Sequence, residues 1–272
     1  MMTLKRMQQT TYKIYKGDCL TVLPTLSDES VDAIIVDPPY NSGGQSSASR
    51  AAMPVKKYQQ SGTQKQYFDF FGDNKDQRAY LHWCAIWLGE CFRIARLGSP
   101  ICIFTDWRQL PITTDALQAG GFIWRGTVPW DKTEAVRPVL GRFRNQAEYV
   151  VWGSKGDMST KRNVKVLPGV YRAIVKPQEK FHLTGKPVEL MESIIKIAEP
   201  GGTILDPFMG SGSTGVAAIK QGYKFIGIEQ SKDYFEIAEN RLKEAQENFL
   251  GLSNIANHCI PIESLANIQI NI

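Results

Sequence analysis

The segment from Gly202 to Glu229 constrains the fold of this chain more than any other. Residues 202–206 (GTILD) predict a short strand, residues 207–215 (PFMGSGSTG) a glycine-rich turn, residues 216–221 the start of a helix, and residues 223–229 (YKFIGIE) a second strand. Strand, turn, helix and strand in this order form the unit from which parallel sheets are built. Glycines let the backbone pass close to a ligand, and the first turn of a helix offers free N–H groups. The segment therefore predicts an α/β fold with a ligand-binding loop.

The same glycines permit a dinucleotide-binding interpretation. Gly210, Gly212 and Gly215 spell G-x-G-x-x-G, and Glu229 stands near the position of the acid that binds ribose hydroxyls in such proteins. However, only residues 216–272 follow the loop, and they leave room for one more clear strand. The remaining strands must come from earlier in the chain, which argues against a dinucleotide fold.

One of those earlier strands ends in an unusual tetrapeptide. Residues 31–36 (VDAIIV) are apolar without a helical period, as in a strand buried on both faces of a parallel sheet. Asp37-Pro38-Pro39-Tyr40 follows directly, and neither proline can continue a ladder of hydrogen bonds. Ligands of open α/β sheets bind at the carboxyl ends of the strands. The tetrapeptide is therefore a candidate site, and the alternative is a capped strand with a Pro-Pro turn and a surface tyrosine.

The whole chain predicts a doubly wound, mostly parallel sheet in a single domain over residues 1–272, with no internal repeat. Further strands are expected at residues 12–15, 100–104, 122–130 and 147–152. Helices are expected at residues 78–96, 110–119, 187–198 and 233–248. Residues 45–66 are polar, without an apolar period, and predict a long loop of the kind that is either functional or disordered.

Charge is concentrated in one part of the chain. Residues 125–186 contain thirteen basic and five acidic residues, a net charge of +8, whereas the whole chain carries +5 and the remainder therefore −3. A local basic region on an otherwise slightly acidic protein suits a polyanion, although an ordinary solvated face has a similar composition.

The remaining composition favours a cytoplasmic protein. The five cysteines are scattered without C-x-x-C spacing, which favours buried thiols over a metal site or disulfides. The sequence shows no apolar stretch of membrane-spanning length and no signal peptide, so neither a membrane nor a metal is expected as a partner.

Two motifs resemble those of a known family. Asp37-Pro38-Pro39-Tyr40 resembles the catalytic tetrapeptide of the S-adenosylmethionine-dependent DNA amino-methyltransferases, and residues 206–212 (DPFMGSG) resemble their cofactor loop. The catalytic motif precedes the cofactor loop, as in the permuted beta group of that family. Residues 16–19 (KGDC) resemble its adenine-reading segment, and residues 182–187 (HLTGKP) its His-x-Thr-x-Lys-Pro motif, with Leu183 where the family commonly has proline. The resemblance extends over residues 12–244 and implies a Rossmann-like methyltransferase fold with a small target-recognition insertion at residues 154–181.

The resemblance also implies site residues. The catalytic residues are expected to be Asp37, Pro38, Pro39 and Tyr40. Residues expected to bind S-adenosylmethionine are Asp18, Cys19, Asp37, Thr184, Lys186, Asp206, Phe208, Gly210, Gly212, Ser213, Thr214, Glu229 and Gln230. For Asp18, a turn after a strand is an equally good explanation. Candidate DNA-binding residues in the insertion are Lys161, Arg162, Lys165 and Arg172, with the loop of residues 45–66 closing over the DNA.

The expected reaction is methyl transfer to the N6 amino group of adenine in double-stranded DNA, with the base flipped out of the duplex. Cytosine N4 is the alternative target, and adenine is favoured because the family's adenine enzymes mostly begin the tetrapeptide with Asp. An RNA or protein amino-methyltransferase would usually have the motifs in the opposite order. A non-catalytic DNA-binding module would not need both motifs.

A homodimer is expected from the resemblance and from the apolar tail at residues 254–272.

Overall fold

The structure is a computed structural model that describes residues 12–40, 75–175 and 185–251. Within these ranges the strands are β1 Tyr12–Lys16, β2 Ala33–Val36, β3 Pro100–Thr105, β4 Ile123–Asp131, β5 Ala147–Ser154, β6 Tyr171–Arg172, β7 Thr203–Asp206 and β8 Lys224–Glu229. The helices are α1 Cys19–Val22, α2 Gln77–Ile94, α3 Leu110–Ala119, α4 Val188–Ile194, α5 Ser213–Lys220 and α6 Lys232–Phe249. Short 3₁₀ turns follow α1 at Leu23–Thr25 and α4 at Ile195–Ile197.

The strands form one sheet in the order β1-β8-β7-β2-β3-β5-β4-β6. The first five strands in this order are mutually parallel, which confirms the mostly parallel sheet. β5 runs antiparallel between β3 and β4, and β6 pairs in parallel with the end of β4. We call the edge where the parallel strands end the carboxyl edge and the opposite edge the amino edge. Because β5 is reversed, the chain between β4 and β5 turns at the carboxyl edge.

Helices cover both faces of the sheet, as the doubly wound prediction requires. Ile34 and Val36 of β2 pack in a core with α2 and α3 on one face, whereas Ala33 and Ile35 pack with α4, α5 and α6 on the other. Successive residues of a strand point to opposite faces, so β2 must be apolar at every position. This double burial explains why the run before the tetrapeptide is continuously hydrophobic.

The glycine-rich turn is shorter than the sequence predicts. Helix α5 begins at Ser213 instead of Val216, because Gly212 adopts a left-handed backbone with φ +82° and turns the chain directly into the helix. Gly215 therefore lies inside α5. A Cβ there would stand 2.5 Å from Leu242 Cδ2 and 2.6 Å from Phe225 Cε1, so this glycine permits close packing of α5 against α6 and β8.

The other predicted elements are present, with bounds that differ by a few residues. The strand predicted from residue 31 begins at Ala33, and Val31 instead forms an isolated bridge with Ala95. The strand predicted to end at residue 152 continues to Ser154. β6 was not predicted, because two residues are too few to show an alternating pattern. The segments at residues 45–66 and 254–272 lie outside the described residues.

Candidate active site

Acidic residues stand at or just after the carboxyl ends of four neighbouring parallel strands, β1, β8, β7 and β2. Asp37 directly follows β2, Asp206 ends β7, Glu229 ends β8, and Asp18 follows β1 by two residues. These strands are consecutive neighbours in the sheet. Residues far apart in the sequence are thus brought to one edge, in the crevice where open α/β sheets bind ligands.

Glu229 is tied to the glycine-rich turn through both oxygens. The Gly210 N–H donates to Oε2 at 2.9 Å, and the Ser231 N–H donates to Oε1 at 2.7 Å. Burial raises the pKa of Glu229, and the backbone N–H donors act against that rise. The carboxylate is held in one orientation by backbone groups, and both of its oxygens retain acceptor capacity for a further donor.

Asp206 is the most deeply buried of these acids, with 2 % of its surface exposed. The Thr214 hydroxyl donates to Oδ2 at 2.6 Å, and the Phe208 N–H donates to Oδ1 at 3.1 Å. Burial nevertheless raises its pKa to about 7, because the two hydrogen bonds offset the desolvation of the charge only in part. A buried carboxylate with this pKa is suited to a cationic partner.

The turn itself has the shape that a ligand cradle requires. Gly210 and Gly212 both have positive φ, and a Cβ at Gly212 would lie 3.2 Å from Ala238 Cβ of α6. Phe208 packs its ring between Trp83 and Trp87 of α2, with ring centroids 5.2 and 5.3 Å apart. A buried acid, an acid with fixed orientation and a small-residue turn fit a ligand that carries a cation and hydroxyl groups. S-adenosylmethionine has both.

The tetrapeptide Asp37-Pro38-Pro39-Tyr40 joins this edge through a group of charged side chains. The Lys186 ammonium donates to Asp37 Oδ2 at 2.7 Å and lies 3.4 Å from the Tyr40 hydroxyl oxygen. The Tyr40 hydroxyl in turn donates to Glu148 Oε2 at 3.2 Å. Tyr40 is only 7 % exposed, and Lys186 Nζ lies 5.5 Å from the centre of its ring. Pro38 is buried and Pro39 half-buried.

Glu148 and Lys132 are site residues that the sequence analysis missed. Glu148 lies on β5, and Lys132 immediately follows β4, with its ammonium 3.0 Å from Glu148 Oε1. Both residues were counted only as part of the basic region. An acid inside a strand whose neighbours are apolar, as Glu148 is in residues 147–152 (AEYVVW), was the available signal.

The other residues that were expected to bind the cofactor differ in their contacts and in their exposure. The Asp18 carboxylate accepts the Leu20 N–H at 3.0 Å and caps α1, which is the alternative explanation given for it. Cys19 is buried, and burial raises the pKa of its thiol. Ser213 is the first residue of α5, and Gln230 is exposed beside Glu229. Lys186 contacts Asp37 directly, whereas Thr184 lies outside the described residues.

The predicted DNA-binding residues do not share one surface. Arg162 bonds the Ile197 carbonyl and pairs with Glu199 Oε1 at 3.3 Å, just before β7 begins at the amino edge. The structure therefore places Arg162 at the edge opposite Asp37, in an intramolecular ion pair. Lys161 and Lys165 are exposed. Arg172 lies at the carboxyl edge, where it pairs with Glu134 at 2.7 Å.

The segment between β4 and β5 is a second surface that the sequence analysis did not single out. Residues 132–146 contain Lys132, Arg137, Arg142 and Arg144 but a single acid, Glu134. Leu140 and Phe143 are fully exposed near its tip. Because β4 ends and β5 begins at the carboxyl edge, this basic segment lies on the same side of the sheet as Asp37.

Comparison with known proteins agrees with this geometry. The DNA methylase family model matches residues 31–240, from the strand before the tetrapeptide to the middle of α6. The chain belongs to the DNA methylase family. The type II methyltransferase M.HinfI of Haemophilus influenzae is 30 % identical over 256 residues, which cover 86 % of this chain and 69 % of that protein. The putative methylase YubD of Escherichia coli (strain K12) is 26 % identical over 235 residues, covering 86 % and 91 %.

Solved structures extend the likeness to the fold. The crystal structure of the M1.HpyAVI–SAM complex has a TM-score of 0.61 and 26 % identity, covering 85 % of this chain and 98 % of that one. PvuII DNA methyltransferase, described as cytosine-N4-specific, has a TM-score of 0.64 at 17 % identity, covering 89 % and 94 %. The second likeness shows the fold alone.

The chain is thus an S-adenosylmethionine-dependent DNA amino-methyltransferase. Among the described residues, no group of three His, Cys, Asp or Glu side chains is arranged to hold a metal ion. No helix in the same part of the chain has the length and hydropathy needed to span a membrane.

Proposed function

We propose that this protein methylates the N6 amino group of adenine in double-stranded DNA after the base is flipped out of the duplex. The observation that carries the proposal is the position of Asp37, at the end of β2 and beside the strand that ends in Asp206. A carboxylate for the amino group and a cradle for the methyl donor thus share one edge. Adenine is favoured over cytosine because the tetrapeptide begins with Asp.

S-adenosylmethionine supplies a methyl group activated by a sulfonium charge. Asp206 is proposed to face its ammonium group, and Glu229 its ribose hydroxyls. Lys186 was expected to bind its carboxylate, but the ion pair with Asp37 makes the proposed role of Lys186 one of orienting the catalytic acid. Thr214 holds Asp206 through its hydroxyl, so we propose that it supports the cofactor site indirectly.

Asp37 is proposed to accept one N–H of the target amino group, and the carbonyl of Pro38 to accept the other. An amino group conjugated with a base is a poor nucleophile until its nitrogen becomes pyramidal. Hydrogen bonds that strengthen as positive charge develops on that nitrogen lower the barrier selectively. Tyr40 is proposed to stack on the extruded base, which requires the surroundings that now bury its ring to open.

The proposed DNA-binding surface lies at the carboxyl edge and consists of residues 132–146 together with Arg172. The segment carries a net charge of +3, and its exposed arginines suit phosphates next to the site. Lys161 and Lys165 remain candidates in the insertion, but Arg162 is left out of the proposed surface because its contacts with Ile197 and Glu199 lie at the amino edge. The expected homodimer stays a prediction, because the apolar tail lies outside the described residues.

Mapping of modified bases tests the target. DNA from cells that express the wild-type chain should contain N6-methyladenine at one short sequence. The matched control is Asp37→Ala, which should leave no modification while the purified variant still binds S-adenosylmethionine. N4-methylcytosine in place of N6-methyladenine would assign the enzyme to cytosine, and the absence of both would refute the proposal.

A salt titration tests the DNA-binding surface. The double variant Arg137→Gln, Arg142→Gln should bind duplex DNA more weakly, and the slope of log K against log salt should become shallower by about 2, at roughly 0.9 per phosphate contact. Lys196→Gln with Lys224→Gln removes the same charge near the amino edge and serves as the control. Equal effects of the two double variants would place the DNA elsewhere.

A further inference from the structure

Glu148 connects three other side chains at the edge of the candidate site. Its Oε2 accepts the Tyr40 hydroxyl at 3.2 Å and lies 3.5 Å from Lys186 Nζ. Its Oε1 accepts the Lys132 ammonium at 3.0 Å. Lys186 in turn contacts Asp37 at 2.7 Å. The four charges alternate in sign along the series Asp37, Lys186, Glu148, Lys132.

These groups are largely removed from water. The Lys186 side chain is 5 % exposed and the Glu148 side chain 18 %. A buried ammonium requires nearby negative charge, and Lys186 has it on two sides, from Asp37 and from Glu148. Burial alone would lower the pKa of Lys186, but the two carboxylates raise it. Burial opposes the ionisation of Glu148 as well, yet Lys186 and Lys132 hold its pKa below the usual range.

Glu148 lies on a hydrogen-bonded strand, whereas the residues that it contacts near Asp37 lie in a loop. It lies within β5, where it pairs with Trp130 of β4, whereas Asp37 and Tyr40 belong to the irregular stretch after β2. A side chain on a paired strand can therefore serve as a fixed point for two side chains of a loop. Tyr40 and Glu148 are 108 residues apart, so the contact joins two separate parts of the chain.

We infer that Glu148 is a positioning residue for methyl transfer, which fixes the Tyr40 hydroxyl and holds Lys186 against Asp37. The inference rests on the proposed function of Asp37. Glu148 also balances the charge of Lys186. Without that balance, an ammonium next to Asp37 would oppose the positive charge that develops on the target nitrogen. Both effects act on the transition state and leave the cofactor loop unchanged.

Glu148→Gln tests the inference because glutamine keeps the shape and can still accept the Tyr40 hydroxyl, but it removes the negative charge that holds Lys186 in place. The single-turnover rate of methyl transfer should fall by about 100-fold, the scale expected from a small misplacement of catalytic groups. The KM for DNA and the dissociation constant of S-adenosylmethionine should stay within about twofold of wild type, as expected when only the transition state is affected. A merely structural residue would change these constants and the thermal midpoint together.

Glu90→Gln is the matched control. Glu90 is also a half-buried acid in an ion pair, with Arg93, but it lies on α2 near the segment that leads into β2 at the amino edge. The Glu90→Gln variant should transfer methyl groups at the wild-type rate.

Lys132→Gln decides the matter if Glu148→Gln does not fold. It removes the outer partner of Glu148 without touching Asp37 or Tyr40, so the single-turnover rate at saturating DNA should fall by a smaller factor, about 5- to 10-fold, with the dissociation constant of S-adenosylmethionine unchanged. Wild-type rates for both folded variants would overturn the inference, as would a wild-type rate for the only one that folds. If the wild-type protein itself transfers no methyl group to DNA, the proposed function fails, and that result is distinct from an active wild type with equally active variants.

Discussion

Asp206 should make binding of S-adenosylmethionine depend on pH. Its carboxylate is buried, and burial raises its pKa to about 7. The proposed contact with the cofactor ammonium requires the ionised form. Below pH 7 the bound proton must leave before the contact can form, so the dissociation constant should rise as the pH falls. The ionised fraction falls from about nine tenths at pH 8 to about one tenth at pH 6, which corresponds to an affinity about tenfold weaker.

Isothermal titration calorimetry at pH 6, 7 and 8 measures this dependence. Repeating the pH 7 titration in two buffers of different ionisation enthalpy should reveal release of about half a proton per cofactor bound, because Asp206 is about half protonated there. Asp206→Asn should bind more weakly and lose the pH dependence. Asp115→Asn, at an exposed position on α3, should retain it. A wild-type dissociation constant that stays the same from pH 6 to pH 8 would refute the reasoning.

The pKa of Asp206 also predicts how the stability of the cofactor-free protein depends on pH. The folded-state pKa of about 7 exceeds the ordinary value of 3.8, so the folded chain binds the proton more tightly than the unfolded chain. The contribution of Asp206 to stability is therefore greatest below about pH 4 and is lost as the pH rises through 7, by at most about 4 kcal/mol. Above pH 7, Asp206→Asn should consequently unfold at a higher temperature than wild type, as measured by differential scanning calorimetry at several pH values.

Two further predictions concern the glycine of α5 and the aromatic ring of the tetrapeptide. Gly215→Ala should destabilise the protein by about 1–3 kcal/mol in a denaturant titration, because the new Cβ would overlap Leu242 and Phe225. Gly89→Ala, in α2 with open space around its Cβ position, should be neutral or slightly stabilising. Tyr40→Ala should slow methyl transfer by about 5- to 150-fold, the equivalent of 1–3 kcal/mol of lost stacking, and Tyr40→Phe should slow it less. Equal losses for the two Tyr40 variants would assign its role to the hydroxyl.

Much of the fold could be predicted because the relevant signals are local. The continuous apolar run of β2 is required by burial on both faces, and its position before two prolines places Asp37 at a strand end. Few residues follow the glycine-rich turn after β7, so the other strands of its sheet must come from earlier in the chain, with β2 the clearest candidate. The structure confirms this by making them direct neighbours. The fold class could therefore be predicted from the hydrophobic pattern and the order of the elements, without knowledge of side-chain contacts.

The network around Glu148 could not be predicted, because its members come from four separate elements. Nothing in the sequence near Tyr40 indicates that its hydroxyl is bonded within the protein. Net charge was similarly ambiguous, since a count of basic residues does not distinguish the carboxyl edge from the amino edge. Arg162 shows this clearly, because its charge is balanced by Glu199 at the amino edge and does not face the carboxyl edge.

The reversed direction of β5 has a consequence for the segment that is proposed to recognise the target sequence. The chain leaves β5 at the amino edge and returns to the carboxyl edge at β6, so residues 155–170 cross the face of the sheet. A cavity of about 310 Å³, lined by Trp152, Met158 and Tyr171, lies along this crossing. Both ends of the crossing are fixed by strand pairing, and the entropic cost of lengthening a connection rises only slowly with its length. Insertions there can lengthen the proposed target-recognition segment over evolutionary time while Asp37, Asp206 and Glu229 keep their places.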